Sequence, residues 1–569
     1  MTSPSRSWCF ALLIQGLLPA LPAAAQEPDS PASTFGERLE VTVVEVEVYA
    51  TDGSRRAVTD LSAADFVVRV DGRPVEVTGF YASGASGLPA EGTDPMPEPQ
   101  LSEPAPAAPP PAPGPGVSLV VYVENAYLDP RQRRLSLEAV GEFLTEHLRP
   151  SDRAMVVSHE IGLQVLQPFT ADIGRAQSAM SGLSKAAARG VHDRLEREAI
   201  LREIEAIDDD TDCQVIRASV VSRVQGLYAE AQVSLGALRS LVGSIAGVEG
   251  RKMLLYVGAG PPLRPGEDLL EILAEVCPGT PFDALEFDLA DEIHALATEA
   301  NTAGVTIHAL DAGGLRGRVG STVTSRIPLY TPRTEQLLVA NVHDTFFALA
   351  DQTGGRAILN ANDPRPDLGR VGEDLESFYS LAFDDPHGRD GRAHRVQVRV
   401  ERPGVVLRYR GSYRSQPVTE ELAQSTLAAL FYGEGELVAG GRLVPGEPRL
   451  EKGAILVPIQ VDLPFAGILL LPGDEGLLVG QLRLFVALRD TQGRVTKVHE
   501  APVPIRISRE EHPAGPPDRL RYPLTLTVAP GEQTLAVTVW DELGGTSGVL
   551  SLVLDLEKRR GRAYLRTKS

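Results

Sequence analysis

The run Val117-Ser118-Leu119-Val120-Val121-Tyr122-Val123 has almost no polar alternation, so neither of its faces suits contact with water. A strand of that kind belongs in the middle of a parallel sheet with helices on both sides. The segment after it agrees: between Arg131 and Leu148, residues Leu137, Val140, Leu144 and Leu148 fall on one helical stripe. Further strand-like runs, RAMVVSHE, LQVLQPF, KMLLYVG, VTIHAL and RAIL, alternate with helical stretches that include 287–303 and 335–352. Residues 117–365 are therefore expected to form an α/β domain around a doubly wound, mainly parallel sheet.

An insertion at about 185–247 interrupts this pattern. Val220, Val224, Leu227, Ala231, Ser234, Leu238, Leu241 and Ile245 repeat at alternating steps of four and three, an apolar seam broken only by Ser234. Leu195, Ile200, Ile204 and Ile207 give a shorter stripe before an acidic run. The expectation is a helical hairpin projecting from the domain. Asp208, Asp210 and Asp212 imitate the start of a calcium loop, but its Gly and distal Glu are missing. Helix capping by Thr211 or Asp212 is the simpler reading.

Both flanks read as β structure, so the fold class is α/β plus all-β. In 38–85, Val44, Val46 and Val48 alternate with glutamates, and Asp71-Gly72 sits between two strand-like runs as a hairpin tip. Residues 375–415 return to strands. Each flank is too short to close a core, so the two are expected to pair as one β-sandwich module around the α/β domain. Residues 86–116 hold 11 prolines in 31 positions and read as an extended linker. Short β runs across 450–557 predict a C-terminal β-sandwich, and 558–569 is a basic tail.

Residues 1–25 have the form of a secretory signal: Arg6 as the only charge, an apolar stretch from Trp8 to Leu18, and Ala23-Ala24-Ala25 as the cleavage site. No other apolar run approaches the ~18 residues of a membrane span. The expected location is secreted or periplasmic, with no transmembrane segment after cleavage near Ala25. Cleavage would leave Cys213 and Cys277 as the two thiols in an oxidising compartment. They either form a disulfide, the commoner outcome there, or remain separate. With 76 acidic against 55 basic residues and a net charge of −21, the chain does not suit nucleic acid.

Catalytic motifs are lacking. His159-Glu160 begins like a zinc-protease helix, but position 163 is Leu and the segment reads as a strand. Gly258-Ala259-Gly260 follows a strand as a dinucleotide loop would. Pro261-Pro262 then remove the amides that would cradle a phosphate. No two of the ten histidines stand at the spacing of a local metal motif. No cofactor is expected.

With GRKMLLYVGAG and AGVTIHALDAGG in its second half, the α/β region resembles a von Willebrand factor type A domain. The flanks VVEVEVYATDGSRRAVTDLSAADFVVRVDGRPVEV, TGGRAILNANDP, DLESFYSLAF and GRAHRVQVRVERPGVVLRYRGSY resemble the acidobacterial von Willebrand factor A-related family of secreted proteins. The resemblance covers roughly 38–415, without the linker and much of the insertion. It implies a divalent metal at the C-terminal edge of the sheet, held by a DxSxS motif after the first strand and an Asp after the fourth. Here that motif falls on Glu124-Asn125-Ala126-Tyr127-Leu128, and the later Asp on Ala259. The resemblance thus implies a degenerate metal site without its hydroxyl ligands. The expected ligand-binding edge is Glu124, Asn125, Asp129 and Ala259, taken as surface groups.

The leading expectation is a non-catalytic protein-interaction or adhesion-type protein, probing an unidentified protein or cell-envelope partner through a metal-free type A domain. Two alternatives stand beside it. One is a metal-dependent adhesin with an unorthodox cation site. The other is an extracytoplasmic hydrolase whose nucleophile, base and orienting acid the fold would have to assemble.

Overall fold

The computed structural model describes residues 42–83, 116–184, 190–206, 210–277, 284–314, 332–433, 435, 437–451, 454–473, 477–491, 494–508, 517–559 and 562–566. The expected signal, nearly all of the Pro-rich linker, Asp208 and the end of the basic tail lie outside these residues. The chain divides into two compact units. One comprises residues 41–243 and 250–416; the other includes 244–249 and 417–569.

The first unit opens with four short strands, β1 (Val43–Thr51), β2 (Phe66–Val70), β3 (Arg73–Val75) and β4 (Gly79–Ala82). Its α/β part follows with β5 (Val117–Glu124), α1 (Pro130–His147), β6 (Arg153–His159), β7 (Leu163–Thr170), α2 (Ile173–Ser184), α3 (Gly190–Glu205), α4 (Asp210–Ile245), β8 (Arg251–Gly258), α5 (Glu267–Val276), α6 (Ala290–Thr302), β9 (Val305–Asp311), α7 (Pro332–Gln352), β10 (Ala357–Ile358) and α8 (Arg365–Glu376). The six strands run in the order β10-β9-β8-β5-β6-β7. All pairs are parallel except β6–β7, a hairpin at the edge. Every residue of β5 is buried, as its unbroken apolar run requires. Successive side chains alternate faces. Leu119, Val121 and Val123 pack with Leu137 and Val140 of α1, Met180 of α2 and Val371 of α8. On the other face, Tyr256 of β8 meets Tyr122 and Phe346 of α7.

The order reverses between β5 and β8. In an open α/β sheet the crevice outside the carboxyl ends of two such strands is where ligands bind.

The insertion does not project. α4 lies against α6 through the Arg239–Glu299 ion pair and the Tyr228 hydroxyl, which donates to Glu292. The buried seam residues Val220 and Val224 share a core with Ile200, Leu201 and Ile204 of α3 and Leu269, Leu270 and Leu273 of α5. α3 and α5 thus cover the first turns of the stripe, from Val220 to Leu227. A disulfide joins Cys213 of α4 to Cys277 at the end of α5.

Strands β11 (Tyr379–Asp384), β12 (Ala393–Val400), β13 (Val406–Tyr409) and β14 (Ser412–Arg414) complete the first unit by pairing with its opening strands. The two resulting sheets have the orders β13-β1-β11-β4 and β14-β12-β2-β3. Val46, Val48, Phe66, Val68, Leu381, Phe383, Val396 and Val398 fill the core of this β module. Buried charge joins it to the start of β8. Arg251 is 3.3 Å from Glu47, its Nη2 donates to the Tyr49 hydroxyl at 3.4 Å, and its guanidinium lies 3.6 Å above the Phe378 ring. Burial alone would push Glu47 up, but the Arg251 and Arg410 charges outweigh it and hold the carboxyl below its ordinary range. Nearby, Asp374 receives Arg356 and Arg408, each at 2.7 Å, and is held low in spite of burial.

The second unit contains α9 (Val418–Tyr432) and strands β15 (Arg442–Pro445), β16 (Arg449–Glu451), β17 (Ala454–Pro464), β18 (Leu471–Pro472), β19 (Leu477–Asp490), β20 (His499–Ser508), β21 (Arg519–Val528), β22 (Gly531–Asp541), β23 (Thr546–Arg559) and β24 (Arg562–Arg566). β17 pairs with β15, β16 and β21 in one sheet. β18-β19-β22-β23-β24, with β20 against β19, forms the other. The inward residues of β17, β19, β20, β21 and β22 make one core. α9 packs Ala429 and Leu430 on Ala487, Ala536 and Val549. Among the described residues, no helix is long and apolar enough to cross a membrane.

Candidate functional site

The crevice at the carboxyl ends of β5 and β8 is filled by the protein's own side chains. Glu124 ends β5 and is fully buried. The Ser234 hydroxyl of α4 donates to its Oε2, and the Tyr122 hydroxyl donates to the same oxygen at 3.2 Å. Its Oε1 accepts the Ala126 N–H at 3.2 Å. His159, ending β6, sets Nδ1 at 3.1 and 3.2 Å from the two oxygens. Gly258 is required beside them: a Cβ there would lie 3.0 Å from that of Glu124 and 2.7 Å from the Tyr256 ring.

The expectation of a surface edge is corrected here. Glu124, Asn125 and Ala259 are all buried, because α4 covers the crevice. Asn125 accepts from Arg133 Nη1 at 2.6 Å and donates to Glu160 at 3.3 Å, while its N–H donates to the His159 carbonyl at 2.8 Å. Burial lowers the Arg133 guanidinium from its ordinary value. Leu128, at a hydroxyl position of the type A motif, is a fully buried core residue. Asp129 caps α1 by accepting the Arg131 N–H at 2.9 Å. A second carboxylate at this end, Asp311 of β9, accepts the Gly313 N–H at 2.9 Å and faces His343 Nε2 at 3.2 Å.

Beside the filled crevice is a pocket of about 310 Å³ whose lining includes His159, Tyr127, Ile161, Val233, Glu160 and Glu230. Ile161 is 83% exposed and Val233 58%, so the mouth is apolar, with two acidic side chains in the lining. His159 is 2% exposed, and its Nε2 has no hydrogen-bond partner among the described residues. In the tautomer that carries its proton on Nδ1, toward Glu124, Nε2 is an acceptor.

The order of contacts is serine, carboxylate, histidine. Ser234 meets the carboxylate and not the imidazole, whereas an activated nucleophile must be hydrogen-bonded to its base. Sequence reasoning did not bring Ser234 or His159 to Glu124. The signals were a hydroxyl in an otherwise apolar seam and a histidine closing a strand.

No family model matches the chain, and no curated protein matches it. Solved structures that resemble it include an aerotolerance-related membrane protein from Bacteroides fragilis, 9% identical over 46% of this chain and 98% of that one, with a TM-score of 0.23. BatB from Bacteroides thetaiotaomicron is 12% identical over 46% of this chain and 97% of that one, with a TM-score of 0.22. Three N-terminal domains of the type V pili tip protein Mfa5 from Porphyromonas gingivalis are 9% identical over 90% of this chain and 77% of that one, with a TM-score of 0.23. Likeness this slight transfers no property to the present chain.

Proposed function

We propose that the chain is a secreted or periplasmic, non-catalytic interaction protein of the adhesion type, whose von Willebrand factor A-like domain works without a metal. One observation carries this reading. The carboxylate that stands where a type A domain has its first acidic metal ligand is buried and occupied by Ser234, His159, Tyr122 and the Ala126 amide. A hard cation such as Mg²⁺ needs several oxygen ligands, and Ala126 and Leu128 offer none from their side chains. Binding then falls to the adjoining pocket, whose apolar mouth and acidic lining suit a protein segment presenting a Lys or Arg side chain.

Two measurements test this. Added Mg²⁺ or Ca²⁺ is expected to leave the melting temperature unchanged; a saturable rise that Glu124→Gln removes would instead establish the metal-dependent adhesin. A photo-crosslinker at Val233, used in the native envelope, is expected to give a discrete protein adduct that Glu230→Lys abolishes. An adduct indifferent to Glu230→Lys would remove the basic side chain from the reading.

A further inference from the structure

The β module brings together three metal-ligating groups that lie far apart in sequence. We propose that Asp71, His387 and His394 form a binding site for a borderline transition-metal dication, Zn²⁺ foremost. Pairing of β2 with β12 sets the β2–β3 hairpin tip beside the loop that joins β11 to β12. Asp71 occupies the tip in the left-handed region, φ 47°. Its N–H donates to the Arg395 carbonyl at 2.9 Å, and its Oδ1 accepts the Arg395 N–H at 2.9 Å, which fixes the carboxylate. Oδ2 then lies 2.8 Å from His394 Nδ1 and 3.3 Å from His387 Nε2. One donor atom from each of the three residues falls within 4.8 Å of the others.

These separations suit a metal. With bonds of about 2.0–2.1 Å, the ligand atoms of a tetrahedral zinc stand roughly 3.3 Å apart. The other nitrogen of His394, Nε2, is 3.0 Å from Asp390 Oδ1. A carboxylate on the far nitrogen is the usual support of a ligating histidine: it fixes the tautomer and leaves the near nitrogen for the metal. Two imidazoles and one carboxylate favour zinc over Mg²⁺ or Ca²⁺, whose preferred ligands are all oxygens. The fourth position is left to water.

The two imidazole rings are stacked, with centroids 3.8 Å apart and planes 8° from parallel. A ligated metal lies in the plane of each ring, and parallel planes share no point. One ring must therefore turn as the metal enters and the proton on His394 Nδ1 leaves to solvent. That ring is His387: its side chain is 29% exposed on a loop, against 6% for His394 within β12.

The test uses the full chain stripped of metal with EDTA. Zn²⁺ is expected to raise the melting temperature and to saturate at one equivalent, while Mg²⁺ does neither. Co²⁺ in its place is expected to give the visible absorption of a four-coordinate ion. His387→Gln should abolish both responses, with its fold checked by far-ultraviolet circular dichroism, and Asp390→Asn should weaken affinity roughly 10–100-fold without abolishing it. Absence of a saturable zinc shift in the unmodified chain, or full retention of that shift in folded His387→Gln, overturns the site. Both readings concern different ions and different residues, so failure here leaves the Glu124 interpretation standing.

Discussion

At the amino end of the parallel strands, Glu47 and Asp374 are buried against Arg251, Arg356 and Arg408. At the carboxyl end, Glu124 and Asp311 are buried against histidines, hydroxyls and backbone amides. The first arrangement supplies a permanent opposite charge for each carboxylate, which suits a fixed joint between the α/β part and the β module. The second supplies mainly hydrogen-bond donors and borders an open pocket. Among the described residues, a buried imidazole nitrogen lacks a hydrogen-bond partner at both ends, His159 Nε2 here and His308 Nε2 beside the arginines. The same sheet therefore has one end closed by buried ion pairs and one end closed by neutral hydrogen bonds beside a pocket.

The sharpest way to break this comparison is Arg251→Met. Leaving Glu47 buried without its nearest cation should destabilise the protein by roughly 3–5 kcal/mol in urea unfolding. Adding Glu47→Met should recover much of that loss. At the other end, Ser234→Ala removes one neutral donor from Glu124 and should cost about 1–3 kcal/mol. If it equalled the loss from Arg251→Met, the two ends would not differ in kind.

Acid sensitivity gives a third contrast, spread over several pH units rather than concentrated in one substitution. His308 of β9 is fully buried beside the arginine cluster, where its Nδ1 accepts the Arg356 N–H at 3.3 Å. Burial, assisted by the charges of Arg408, Arg356 and Arg251 and opposed by Asp374, pushes it down to about 3. Between there and its unfolded value of about 6.5, the unfolded state binds the extra proton, so stability falls on acidification by up to about 1.4 kcal/mol per pH unit. Unfolding measured from pH 7 to pH 4 should show a shallower loss in His308→Gln than in the unmodified chain; equal slopes would remove His308 as the acid-sensitive group.

Much of the fold was legible locally. The nearly unbroken apolar run at 117–123 marks a doubly covered strand, and Val44, Val46 and Val48 mark the inward face of β1, whose other face, with Glu47 and Tyr49, is buried as well against Arg251. The seam of α4 was equally plain in its spacing. What covers its first turns was not, because the apolar residues of α5 that meet Val220 and Val224 come after the intervening strand β8. The site was less legible still. Glu124 was found by its place after a strand, but its burial depends on Ser234, 110 residues away, whose hydroxyl looked like a flaw in an apolar stripe. Asp71 and His394 are 323 residues apart and meet only because β2 pairs with β12. Spacing rules for metal motifs detect local sets, and this one is assembled by sheet register.

That register also has a kinetic consequence. Contacts within the β module, such as Leu61 with Tyr379 across 318 residues, close a very long loop. Closure of so long a chain is slow unless the intervening segment first becomes compact and draws its own ends together. Early folding of the α/β part would shorten that loop, so the strands of β1–β4 and β11–β14 are expected to pair after it, an order that hydrogen-exchange pulse labelling during refolding would check. Until then both sets expose unpaired edges of the sort that associate between chains. A substitution that delays the central sheet would first be seen as aggregation through the flanks, in residues it never touches.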